Sequence, residues 1–123
     1  MTDFGNFTMN FTRGTVVFVS NMNAEGHVIS GNHPAVVIQN DIGNKYSPTV
    51  IVCFMTSQIK RLDLKTHVVI QHYDGLRPSV VLAEQMATVD KNNILAVMAK
   101  LRPEDMVRVE TAVRVSLGLE EAS

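Results

Sequence analysis

The 123-residue sequence contains no tryptophan, one cysteine and four prolines, and its charges nearly cancel at a formal −1. A lone Cys53 cannot close an intrachain disulfide, so a disulfide-stapled secreted fold is excluded and a reducing cytoplasm is the expected setting. The small net charge excludes a protein that grips nucleic acid by bulk electrostatics alone. No apolar run approaches the length of a membrane span. The first residues lack the basic region and apolar stretch of a secretory signal. Zinc-site Cys/His spacing, a phosphate-cradling glycine loop and a Ser/His/Asp motif are all missing, so neither a metal nor a cofactor is expected.

Apolar residues make up 46% of the chain, enough for a real core. The length suits one domain, which would bury roughly two-thirds of the unfolded chain's surface. The charges are unevenly placed. Residues 45–77 carry Lys45, Lys60, Arg61, Lys65 and Arg77 against Asp63 and Asp74, whereas residues 103–123 carry Glu104, Asp105, Glu110, Glu120 and Glu121 against Arg108 and Arg114. The middle of the chain can face a polyanion and the tail cannot easily do so.

Residues 1–12 are polar but hold Phe4, Phe7 and Phe11. They read as an N-terminal extension whose rings are tacked onto the core, or which adds a strand or a dimer contact. Residues 15–20, rich in β-branched side chains, predict a strand. Residues 21–34 predict a loop from their Asn and Gly content. The continuous apolar runs 35–40 and 48–55 predict strands buried on both faces, joined by a turn at Asp41-Ile42-Gly43-Asn44. Two more strands are expected at 67–71 and 79–85, on either side of a turn at His72-Tyr73-Asp74-Gly75. The period then changes. Asp90 is placed to cap a helix over 91–101, and Pro103 with Glu104 and Asp105 to open a second one running to Gly118. The expected architecture is mainly β with C-terminal helices: a small antiparallel barrel of four to six strands, with residues 13–123 forming a single domain.

Several segments, in order, carry a family resemblance: V-I-Q-N-D-I-G-N at 37–44, Y-S-P-T at 46–49, L-K-T-H-V at 64–68, V-L-A-E-Q at 81–85, T-V-D-K at 88–91 and S-L-G-L at 116–119. From Arg13-Gly14 to Leu119 the chain resembles the MazF/PemK toxin endoribonucleases. The resemblance implies an SH3-like β-barrel with a C-terminal helix and a homodimer in the cytoplasm. It further implies an activity that cuts single-stranded RNA without metal, and an antitoxin protein, MazE-like or equivalent, that neutralises it.

Metal-free RNA cleavage uses the ribose 2′-hydroxyl against the adjacent phosphorus. It needs a base for the 2′ proton, donors or charge for the phosphoryl oxygens, and an acid for the leaving 5′ oxygen. In the family an arginine before the proline of the second strand and a threonine ending the third supply much of this. Thr56 matches the threonine, and either donates to a phosphate oxygen or caps its own strand end. The arginine is replaced by His33. Arginine is a permanent planar cation that forks onto two phosphate oxygens. Imidazole, with an ordinary pKa of about 6.5, is a poorer clamp but a competent proton shuttle. The preceding loop also departs from the family's Ser-Glu-Gln-Gly-Gly-like sequence, reading His27-Val28-Ile29-Ser30-Gly31, and His27 adds a second imidazole. His27, His33 and Thr56 are therefore the candidate catalytic residues, with both histidines as plain loop residues the alternative.

The resemblance places Glu84 and Gln85 near the RNA, where a carboxylate and an amide can read base edges. Ala87 stands where many relatives carry arginine. Lys60, Arg61, Leu64, Lys65, Thr66 and His67 complete the candidate RNA surface, against the alternative of a solvated basic loop. The leading function is a sequence-specific endoribonuclease toxin with an altered site. The competing one is a cleavage-deficient member that binds antitoxin or RNA as a regulator or decoy. The same barrel also supports gyrase-poisoning toxins, but the strand motifs here look more like the ribonuclease branch.

Overall fold

The structure is a computed structural model and describes residues 10–21, 26, 27 and 29–121. The readings made of Phe4 and Phe7 lie outside those residues; Phe11 packs against the core. Thr15, Val16, Val17 and Val19 are β-branched and open strand β1 (Thr15–Asn21), as expected. Strand β2 (Gly31–Val37) begins inside the segment expected to be loop. Gly31, at φ +87°, takes a backbone conformation closed to most residues, and the chain turns in to pair Asn21 with Gly31 and Val19 with His33. Pro34 fits within this strand because it lies opposite Phe18 and before the β2–β3 pairing begins at Ala35.

The expected turn at 41–44 is instead a short helix, α1 (Asp41–Tyr46). The Asn40 side chain accepts from the Gly43 amide at 2.8 Å, with Asp41 in the first turn and Lys45 in the last. Pro48 stops it by driving Ser47 into extended geometry. Strands β3 (Thr49–Thr56), β4 (His67–Ile70) and β5 (Ser79–Asp90) follow, β5 running five residues past its expected end. His72 (φ +71°) and Gly75 (φ +79°) make the expected turn after β4.

The helix expected over 91–101 is a second correction. Asp90 does cap, its carboxylate accepting from the Asn92 amide at 2.8 Å, but it caps one 3-10 turn, Lys91–Asn93. Residues 94–100 then extend as strand β6 (Ile94–Lys100), paired with β1 from Val19↔Ile94 to Thr15↔Lys100. The helical spacing of Ile94, Leu95, Val97, Met98 and Leu101 yields to the open hydrogen-bonding edge of β1, which a strand satisfies and a helix does not. The one long C-terminal helix is α2 (Pro103–Ser116), with Pro103 in its first turn.

The sheet is antiparallel throughout, in the order β4-β5-β3-β2-β1-β6. The apolar runs of β1, β2 and β3 bury both faces. One core joins Val16, Val36, Cys53 and Met55 to Met106, Val109 and Ala112 of α2; the other gathers Val17, Ala35, Val52 and Phe54 with Val89 and Ile94. Alternation along each strand sends successive side chains to opposite cores, so every residue of those runs must be apolar. Burial raises the Cys53 thiol to about 12, with Glu84 adding to the rise.

The start of α2 is locked by a polar cluster. The Tyr73 hydroxyl donates to Asp105 at 2.6 Å and accepts from the Arg102 amide at 2.7 Å, replacing a side-chain cap. The Arg102 guanidinium lies over the Tyr73 ring at 4.0 Å, and Arg108 donates to Asp105 at 3.0 Å. Burial alone would raise the Asp105 carboxyl, but hydrogen bonds from Tyr73 and Arg108 and the two arginine charges hold it below its ordinary 3.8.

Candidate functional site

The end of β3, the start of β4, the first half of β2 and the middle of β5 enclose an open groove of about 430 Å³. His33 and Thr56 meet there because of strand register. Ala35 pairs with Phe54, and continuing that register by two residues sets His33 opposite Thr56, on the same face. Both line the groove, together with His27 from the β1–β2 connection. The Thr56 hydroxyl accepts from the Gln58 amide at 3.1 Å, so it does cap its own strand end. Acceptance uses a lone pair and leaves the hydroxyl hydrogen able to donate, so the two readings of Thr56 coexist. Among the described residues, neither the His27 nor the His33 imidazole has a hydrogen-bond partner.

β5 supplies the opposite wall through an irregularity. Cys53 pairs with Met86 and Met55 with Val81, so residues 82–85 all stand across from Phe54 alone. In a regular strand the neighbours Glu84 and Gln85 would point to opposite faces. The bulge lets both line the groove with Leu82. His67, paired with Leu82, reaches diagonally to Glu84 at 2.8 Å, and its other ring nitrogen lies 3.3 Å from the Lys60 carbonyl. Both ring nitrogens of His67 thus face protein acceptors, which commits its imidazole to the wall. Burial raises the Glu84 carboxyl, but hydrogen bonds from His67, its own backbone and Thr66, with the charge of His67, bring it below its ordinary 4.5.

The remaining sequence candidates divide. Lys60 lines the groove. Arg61 does not: at φ +53° its guanidinium holds Asp63 through two contacts of 3.1 Å, and that bond raises the arginine and lowers the aspartate. Leu64 lies between β3 and β4, its amide donating to the Arg61 carbonyl and its carbonyl accepting from the His67 amide. Thr66 acts on Glu84, and Lys65 is outside the groove lining. Sequence reading missed Ile29, Gln58 and Leu82, which also line it. Only Leu82 had a signal, as the residue two before Glu84 on one strand face. Among the described residues, no three His, Cys, Asp or Glu side chains are grouped as the ligands of a cation would be.

A larger concavity of about 730 Å³ lies at the other end of the sheet, lined by Phe11, Tyr46, Pro48 and neighbouring polar residues. Its carboxylates are already engaged, Asp41 with the Arg13 amide and Asn44, and Asp90 with the Asn92 amide; Lys91 donates to the Asn44 carbonyl. Acid–base groups without partners are found in the smaller groove.

Residues 12–117 match the family described as the PemK-like, MazF-like toxin of type II toxin–antitoxin systems. The chain belongs to this toxin family. It is 42% identical to endoribonuclease EndoA of Bacillus subtilis over 109 residues, which is 87% of this chain and 94% of that one. The PemK/MazF architecture extends to solved structures. MazF from Deinococcus radiodurans superposes with a TM-score of 0.80 at 22% identity, covering 89% of this chain and 98% of that one. A mycobacterial endoribonuclease in complex with its cognate antitoxin gives 0.73 at 23% identity, covering 89% and 97%. The mainly β fold with its C-terminal helix is thus that of the MazF toxins. Within this PemK/MazF frame, His33 and Thr56 occupy facing ends of β2 and β3.

Proposed function

We propose that this protein is the endoribonuclease toxin of a toxin–antitoxin pair, one domain over residues 13–123, and that it cuts single-stranded RNA at the groove shared by His33 and Thr56. One observation supports the reading: a single groove is lined by the His33 imidazole, without a hydrogen-bond partner among the described residues, and by the Thr56 hydroxyl, which accepts from Gln58 and keeps its own hydrogen to donate. His33 takes the proton of the ribose 2′-hydroxyl as its oxygen bonds to phosphorus. Thr56 donates to a non-bridging phosphate oxygen as charge grows there. The bond from phosphorus to the 5′ oxygen then breaks and that oxygen takes a proton, with His27 the acid within reach of the groove. The products are a 2′,3′-cyclic phosphate and a 5′-hydroxyl. Lys60 adds local positive charge, which suits a phosphate chain despite the near-neutral whole.

The proposed setting is the cytoplasm; no helix among the described residues is long and apolar enough to cross a membrane. The proposed partners are a second copy of the chain and an antitoxin protein. Ile42, Tyr46, Leu95, Val97, Leu117 and Leu119 leave apolar surface exposed for such contacts. The test is to incubate the purified protein with a long single-stranded RNA in chelator and map the ends. Discrete cuts ending in cyclic phosphate support the reading, and intact RNA at high protein concentration overturns it. A second reading, binding without cleavage, draws on the replacement of a permanent guanidinium by His33, since a poorer phosphate clamp can still bind. It is favoured if RNA is retained on the protein but stays whole.

A further inference from the structure

Gln85 lines the groove with Glu84, yet both ends of its amide are tied to protein backbone. Its Nε2 donates to the His27 carbonyl at 3.2 Å, and its Oε1 accepts from the Ile29 amide at 3.2 Å. The two contacts fall on residues 27 and 29, both in the connection between β1 and β2. Gln85 reaches that stretch only because the bulge in β5 turns it, with Glu84, toward the groove. Asn21 adds a third tie by donating to the Ile29 carbonyl at 2.7 Å, and Ile29 packs into the core beside Phe54. Two backbone bonds, one through each end of the amide, fix the orientation of its plane, whereas a base reader would have to keep that plane free to meet the base.

We propose that Gln85 is a positioning residue: it clamps the backbone on either side of residue 28 and so sets the wall that carries His27 against the wall that carries Glu84. Its contribution is to the geometry of the reaction and not to the choice of RNA sequence. The kinetic part of this inference rests on the groove being the cleavage site; the clamp itself does not.

The experiment compares the full-length protein with Gln85→Ala and Gln85→Glu. Glutamate keeps the acceptor for the Ile29 amide but sets oxygen against the His27 carbonyl. Amide hydrogen exchange at Ile29, read by NMR, should speed up roughly five- to tenfold in Gln85→Ala, as loss of one backbone partner implies. Gln85→Glu should fall between that variant and the parent. On a long RNA, Gln85→Ala should lower kcat about tenfold with KM nearly unchanged, while cutting at the same sequences. Unchanged Ile29 exchange in Gln85→Ala overturns the clamp. So does a shifted set of cut sequences, which would make Gln85 a base reader. If the parent protein leaves RNA intact, the cleavage reading fails, while the exchange measurement still decides the clamp.

Discussion

At the scale of the residue, the chemistry rests on what His33 can do that arginine cannot, and the reverse. A guanidinium holds charge at all working pH, whereas an imidazole exchanges protons near neutrality. Replacing His33 with alanine should therefore slow cleavage by about 10²–10⁴-fold, the usual worth of an acid–base group. His33→Arg should cut about as slowly as His33→Ala, since a guanidinium cannot take the 2′ proton, which initial-rate measurements would register. Thr56→Ala should cost about 10²–10³-fold in kcat, the range for one lost donor to developing negative charge. That His33 and Thr56 share a groove was legible in the sequence, because short motifs fixed both against a family pattern. The roles of Glu84, Gln85 and His67 were not. Their side chains read as groups that could contact RNA, and only the fold reveals that His67 ties Glu84 and that Gln85 holds the backbone of residues 27 and 29. No sequence signal announces the bulge that makes this possible.

At the scale of the element, local chemistry was right more often than the element it was taken to imply. Asn40 and Asp90 both cap, as their side chains suggest, yet one caps a helix where a turn was expected and the other a single turn where a helix was expected. Helical spacing in residues 94–101 is real, but pairing with β1 overrides it, since an unpaired strand edge is costlier than a lost helical preference. The β-branched strands and the Pro103-started helix stand where expected, because propensity, pattern and burial agree there. Removing the Asn40 cap should cost about 1 kcal/mol of stability, measured by urea unfolding of Asn40→Ala.

At the scale of the whole molecule, two cores lie on opposite faces of one sheet, and β2, β3, β4 and β5 carry the groove. Phe54 is fully buried in the second core, at the register position that sets His33 opposite Thr56. Phe54→Ala should cost about 3–5 kcal/mol and lower the midpoint of thermal unfolding accordingly. The Asp105 cluster ties α2 to the β4–β5 turn and gives stability a pH dependence. The folded carboxyl sits below its ordinary 3.8, so the native state binds fewer protons than the unfolded one in that range. Its contribution is complete above the ordinary carboxylate range and is lost as pH falls through it toward the depressed folded value. Acid titration of unfolding should show this loss, and Asp105→Asn should flatten it. The central proposal, an imidazole and a hydroxyl cutting RNA where the family resemblance implies an arginine, is tested most directly by one digestion. Parent, His33→Ala and Thr56→Ala proteins are incubated with the same single-stranded RNA in chelator, and the fragment ends are mapped. The account requires discrete cyclic-phosphate ends from the parent that fade in both variants; cuts that persist unchanged in His33→Ala would contradict it.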